Sequence, residues 1–390
     1  MQCVCLSEER APLRLTVVTH LGGNSGLLIL NNILKVLEPL CGKLYVASEC
    51  ALQETGGKIE AVCIPVRRER RLLSRAVNCL LREIQLTLHA SRIIPQSDVF
   101  VVVGAALVLP TILAKLHDKK VLLISIGSPN RSSKELYGNT LLGLGRYLFP
   151  TIFGDLEALN YMLADRIVVY SKRIAEENGL KRYSNKLCIA HEHFIDFSSF
   201  NLRKKIEDRK NLVGYTGRLS EEKGCLNFVE AIPSLLETRK DITFLIGGDG
   251  NLLSKIREYL KKMNLMSNVK MAGWIPHDKL PEYLNELKLL VLPSYTEGLP
   301  NIMLEAMACG TPVLATPVGA IPDIIKDGET GFLLKSNDPR HIANKIVELL
   351  NQPELLEKVS KNAYKLVREN FSEEKTLESW RRVLHEFETR

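Results

Sequence analysis

The sequence predicts an α/β protein built as two doubly wound parallel-sheet domains facing a cleft. Three observations carry that expectation. Short runs rich in Val, Ile and Leu recur along the chain with helical stretches between them, the pattern of parallel strands covered on both faces. The 390 residues accommodate two or three domains at about 100–200 residues each. One charged stretch, NLRKKIEDRKN at Asn201–Asn211, breaks the rhythm near the middle.

Strands are expected first at Leu15–Thr19, Lys43–Ala47, Val99–Val103, Val121–Ile126, Arg166–Val169 and Leu187–Ala190. A second series follows at Leu212–Tyr215, Thr243–Ile246, Val269–Met271, Leu289–Leu292, Val313–Ala315 and Gly331–Leu334. Strands alternating with helices are βαβ units. The reading places one domain at 13–200, a linker at 201–211 and a second domain at 212–371. A last amphipathic helix covers 372–388, capped by Ser372, with Glu373 and Glu374 at its positive end. Leu377, Trp380, Val383 and Leu384 form its apolar stripe. Open α/β sheets bind ligands outside the carboxyl ends of their strands, so the cleft between the domains is the expected site.

Composition narrows the classes. Hydrophobic residues are 45% and charged residues 25%, which excludes disorder and small disulfide scaffolds. A net charge of +7 permits an anionic partner, a phosphate ligand or a lipid surface, and gives no indication of nucleic acid. The nine cysteines show no CxxC and no zinc-ligand spacing, so they read as reduced thiols of a cytoplasmic protein. Acidic Glu8 and Glu9 and the lack of an apolar leader argue against a signal peptide. The longest apolar run, Val99–Ala114, is too short for a membrane span and contains Gly104 and Pro110.

Three turns carry the chemistry. In Val213–Gly224 (VGYTGRLSEEKG) a strand runs into a loop with Gly217, Arg218 and Lys223, then a helix begins near Cys225. A lysine is unfavourable at a helix N-terminus, and an anion beside it reverses that penalty. Arg218 offers a fork and Lys223 a point charge, a pair able to hold a diphosphate and neutralise it as it leaves. The alternative is two solvated charges beside a turn. A second turn, Gly247-Gly248-Asp249-Gly250, lets backbone approach a ligand at Gly248, or is simply tight. It is not GxGxxG, which disfavours a nicotinamide cofactor.

The third is Leu292–Thr316 (LPSYTEGLPNIMLEAMACGTPVLAT). A short helix is expected over about Pro300–Cys309, with Pro300 at its first position and Gly310 after its last. Its free N–H groups form an anion site. Glu297 lies just before that end, and Glu305 five residues in, roughly 7.5 Å along the axis. Carboxylates accept hydrogen bonds from hydroxyls, so the pair suits a nucleotide sugar: diphosphate at the helix end, hexose at Glu297, ribose at Glu305. The alternative leaves Glu297 in a solvated loop and Glu305 on an exposed face.

Glu297-x7-Glu305 within this stretch, together with GRLSEEKG, resembles the retaining glycosyltransferases of family 4, which have the GT-B fold and the EX7E motif. IGGDG, GWIPHDKLPEYL and DGETGFLL extend the match, and LTVVTHLGG, LADRIVVYS and HEHFIDFSSF match more loosely. The resemblance implies transfer of a hexose from a nucleotide-diphosphate sugar to an acceptor hydroxyl with retention, no metal and no cofactor. Arg218, Lys223 and Glu297 are the implied catalytic residues. Gly23, Gly217, Gly248, Gly298, Asn301, Ile302 and Glu305 are the implied donor-binding set. The final helix crosses back to the first domain. Gly127 stands where many members carry a histidine, with His20 and Arg131 as substitutes.

The implied acceptor is lipid-linked or a cell-surface glycan precursor. Arg67–Glu83 holds six arginines and two glutamates, and Leu73, Val77, Leu80 and Ile84 fall at helical spacing. Arg67–Arg82 is therefore expected either to meet an anionic membrane at its inner face or to turn its leucines into the core. Two alternatives to transfer stay open: a sugar-nucleotide epimerase of the same fold, and a non-catalytic donor-binding or membrane scaffold.

Overall fold

The computed structural model describes residues 12–21, 23–49, 57–63, 72–126 and 145–388. The chain forms two compact units, Met1–Glu192 with Thr376–Arg390, and His193–Lys375.

The first unit holds a seven-stranded parallel sheet: β1 (Arg14–Thr19), β2 (Lys43–Ser48), β3 (Ile59–Cys63), β4 (Val99–Val103), β5 (Lys120–Ile124), β6 (Arg166–Val169) and β7 (Leu187–Ile189), in the order β3-β2-β1-β4-β5-β6-β7. Its helices are α1 (Gly23–Leu37), α2 (Leu72–Ile93), α3 (Val108–Leu116), α4 (Gly145–Leu163) and α5 (Lys172–Glu177). Val99–Val103 is buried at every residue, as a central strand covered on both faces must be. β3 was not foreseen. It is an edge strand with four of five residues exposed, so it lacks the apolar run that marks a buried one.

Helix α2 is apolar on two sides. Leu86 and Ala90 enter the core, and the Leu109 N–H donates to the Glu83 carboxylate at 2.7 Å. Leu80, Leu81, Ile84 and Leu88 face outward, Leu80 at 54% and Leu88 at 62% exposure. Core packing is thus the wrong alternative for Leu80 and Ile84, because Leu86 and Ala90 already occupy that side. Arg67, Arg68 and Arg71, and the side chains of Leu73, Arg75 and Val77, lie outside the described residues. Among the described residues, no helix is long and apolar enough to cross a membrane.

The second unit holds a six-stranded parallel sheet: β8 (Leu212–Thr216), β9 (Thr243–Gly247), β10 (Val269–Gly273), β11 (Leu289–Leu292), β12 (Val313–Ala315) and β13 (Phe332–Leu333), ordered β10-β9-β8-β11-β12-β13. Around it lie α6 (Cys225–Thr238), α7 (Leu253–Lys262), α8 (Leu280–Glu286), α9 (Asn301–Ala308), α10 (Ile321–Ile324), α11 (Pro339–Leu350) and α12 (Pro353–Asn370). Tyr215, Phe228 and Phe244 centre its core. The last helix, α13 (Glu373–Glu388), belongs to the first unit from Thr376 onward. There the buried Trp380 indole donates to the His191 carbonyl at 3.0 Å, and Arg166 bonds Glu386.

The change of unit falls at Glu192/His193, so the expected linker at 201–211 is part of the second unit. Its charges mislead because one of them is an internal tie. The Arg209 guanidinium is buried and donates to the carbonyls of Lys204, Leu284, Leu287 and Cys309 and to the Thr311 hydroxyl. With no carboxylate among those acceptors, burial pushes its pKa down to about 10.

Candidate functional site

The carboxyl ends of β8, β9 and β11 meet through their loops. Gly217 N donates to the Gly247 carbonyl at 3.1 Å, and Leu219 N to that of Asp249 at 2.8 Å. Gly248, at φ +127°, lies so near that a Cβ would stand 1.8 Å from the Gly217 oxygen, so only glycine allows this approach. A similar contact joins the Arg218–Lys223 loop to the segment after β11. Gly224 has φ +63°, and a Cβ there would stand 2.0 Å from the Pro293 oxygen. Tyr295 N donates to the Glu222 carbonyl at 2.9 Å.

That seam sets Lys223 beside Glu297. The Lys223 ammonium donates to Glu297 Oε2 at 2.7 Å, and the Ser294 hydroxyl to Oε1 at 2.8 Å. The Glu297 side chain is 9% exposed, so this carboxylate is desolvated and held at both oxygens. Arg218 is exposed, with Nη1 3.5 Å from the Glu222 carboxylate, and the Tyr215 hydroxyl donates to its carbonyl at 2.7 Å.

Helix α9 starts one residue later than expected. Pro300 is the extended residue before it, at ψ 117°, and no side chain caps its first turn. Asn301 and Ile302 open the helix half-buried, and Ala320 N anchors the Gly298 carbonyl at 2.9 Å. Glu305 lies inward on α9 with its side chain 11% exposed, so the reading of an exposed helix face does not hold. Its Oε1 is 2.8 Å from His277 Nε2.

The second unit thus gathers Gly217, Arg218, Lys223, Gly248, Glu297 and Gly298 on loops at the carboxyl end of one sheet, and Asn301, Ile302 and Glu305 on the helix α9 that follows. Gly23 belongs to the first unit, where it opens α1. Gly127 and Arg131 lie outside the described residues. His20 follows β1, with its ring where a Cβ on Gly104 would come within 2.7 Å of it.

Sequence reading missed Ser294, His277 and His193. His193 is buried and bonded to the Leu299 backbone beside the Glu297 loop, and burial pushes its pKa down to about 4. HEHF carried a signal, two histidines in an apolar setting. Ser294 stands three residues before its partner Glu297 in the same loop, whereas His277 meets Glu305 only through folding, 28 positions along the chain. Among the described residues, no three His, Cys, Asp or Glu side chains cluster as a metal would require.

Residues 198–366 match the family model for glycosyl transferases group 1. An uncharacterized glycosyltransferase of Methanocaldococcus jannaschii is 34% identical over 172 residues, 44% of this chain and 47% of that protein. The alpha-D-kanosaminyltransferase of Streptomyces kanamyceticus is 29% identical over 54% of this chain and 56% of its own. The chain thus matches about half the length of these relatives. The crystal structure of Anabaena HepE in complex with UDP superposes with a TM-score of 0.73, covering 96% of this chain and 100% of that one at 15% identity. At that identity the likeness is one of fold: two parallel-sheet α/β domains of the GT-B type.

Proposed function

We propose that the chain is a retaining glycosyltransferase that moves a hexose from a nucleotide-diphosphate sugar to an acceptor hydroxyl without a metal. The observation that carries this reading is the Lys223–Glu297–Ser294 cluster, one loop behind an uncapped helix end. The diphosphate lies at the N–H groups of Gly298, Asn301 and Ile302, with Arg218 and Lys223 on its oxygens and Gly217 and Gly248 giving backbone access. Glu297 accepts hydrogen bonds from the hexose hydroxyls and Glu305 from the ribose. The bond from the anomeric carbon to the β-phosphate oxygen breaks as the acceptor oxygen bonds that carbon, and the acceptor proton leaves with the diphosphate. Negative charge grows on the leaving group, so fixed cationic donors there lower the barrier. The family match over 198–366 and the UDP bound by HepE support a nucleotide-sugar donor.

The acceptor is lipid-linked, and the chain is a cytoplasmic protein that meets an anionic membrane peripherally. The outward stripe of Leu80, Leu81, Ile84 and Leu88 beside the arginine-rich Arg67–Arg82 supports this part of the reading. Incubating the protein with UDP-, GDP- and ADP-sugars plus a membrane lipid extract tests the function. Free nucleoside diphosphate appearing with a glycosylated lipid is the expected result. An unchanged donor with every sugar overturns the reading, and a donor converted to its epimer replaces it.

A further inference from the structure

Glu305 is an enclosed carboxylate of which the described residues hold one oxygen. Met303, Leu304, Ala306 and Met307 around it are buried. Oε1 takes the 2.8 Å contact from His277, while Oε2 has no hydrogen-bond partner among the described residues. An ionised carboxylate only accepts, so His277 Nε2 carries a proton in this contact whatever the charge of the ring. The His277 side chain is 70% exposed, and its ring has an aromatic neighbour besides the carboxylate. The buried Phe200 ring lies 4.9 Å from the imidazole centroid, tilted by 49°. Lys279 N and Leu280 N both donate to the Pro276 carbonyl at 3.0 Å, closing the turn that bears His277. The imidazole is therefore a fixed bridge between an aromatic wall and the carboxylate.

We propose that His277 is the positioning residue of the ribose subsite, fixing Glu305 so that Oε2 and the second lone pair of Oε1 meet the two vicinal hydroxyls of the nucleotide. This rests on the proposed role of Glu305. A glutamate turns about several side-chain bonds, so without His277 the ligand must itself immobilise the carboxylate. A diol needs both acceptor sites aimed together, so the loss falls on the diol and spares a ligand that lacks one hydroxyl.

The test is calorimetric titration of wild type, His277→Ala, His277→Gln and Glu305→Gln with UDP, ADP and GDP and their 2′-deoxy forms. We expect the tightest ribonucleotide to bind about tenfold more weakly to His277→Ala, the scale of one charge-assisted hydrogen bond. Its preference over the 2′-deoxy form should collapse, and His277→Gln, which also presents an N–H donor, should restore both. The melting temperature without ligand should fall in His277→Ala, because the enclosed carboxylate loses its donor, and recover in His277→Gln. Equal losses for ribo and deoxy forms, or no gain from Gln over Ala, overturn the positioning role. If Glu305→Gln weakens the ribonucleotide and His277→Ala does not, His277 alone is wrong. If Glu305→Gln binds as wild type, or no nucleotide binds wild type, the underlying reading fails and this inference falls with it.

Discussion

Lys223 and Glu297, 74 positions apart in sequence, form a 2.7 Å ion pair across the Gly224–Pro293 seam. The pair places a cation and a carboxylate at one point of the second unit. In the proposed transfer each has a separate task, the ammonium toward phosphate and the carboxylate toward hydroxyls.

Removing either basic residue should therefore remove charge stabilisation from the leaving diphosphate. Arg218→Ala and Lys223→Ala should each lower transfer by about 10²-fold or more, measured as kcat with saturating donor. Lys223→Ala should also cost about 1–3 kcal/mol of stability, because it strips a charged donor from a mostly buried carboxylate. Wild-type turnover in both variants would sink the diphosphate role.

Most strands were legible because parallel strands buried on both faces need continuous Val, Ile and Leu, as in Val99–Val103. Edge strand Ile59–Cys63 was not, since its exposed side chains obey no such demand. The boundary was misread because charge in a stretch signals solvent, whereas Arg209 is satisfied internally by carbonyls that sequence cannot reveal. Periodicity marked the α2 stripe, yet a helix with Leu86 inward and Ile84 outward has two apolar sides, and only packing tells them apart. At the site, the glutamates, Arg218 and Lys223 stood out because a motif spaces them. Of their fixing partners, Ser294 is local to the Glu297 loop but carries no pattern of its own, and His277 comes from tertiary contact.

The stereochemistry should follow the donor. NMR of the product should show the anomeric configuration kept, and activity should persist in EDTA if, as proposed, two basic residues and a helix end serve the phosphates. Inversion, or complete loss restored by manganese or magnesium, would contradict the proposed chemistry.

His193 should leave a mark on stability against pH. Its folded pKa of about 4 lies below the ordinary histidine value of about 6.5, so the unfolded chain binds the extra proton between them. Stability contributed by the neutral ring is present above about pH 6.5 and is lost as pH falls toward about 4, by about 3 kcal/mol. Urea melts of wild type and His193→Gln should converge or cross over that window. Parallel curves would show that the ring is not held neutral.

The outward stripe of α2 predicts lipid binding. Sedimentation with anionic vesicles should be strong at low salt and weaken at high salt, because exposed charges are screened. Arg67→Gln, Arg68→Gln, Arg71→Gln and Arg75→Gln combined should reduce it while leaving nucleotide affinity intact. No sedimentation at low salt would remove the membrane and favour a soluble acceptor.

The most direct test of the donor site is the melting temperature of wild type and Lys223→Ala across a panel of nucleotide sugars. A ligand bound only by the native state stabilises it by about 2.7 kcal/mol at a hundredfold excess over Kd. At least one nucleotide sugar should raise the wild-type melting temperature, and Lys223→Ala should lose most of that rise. No shift with any nucleotide sugar, or an equal shift in the variant, would contradict the proposed donor site.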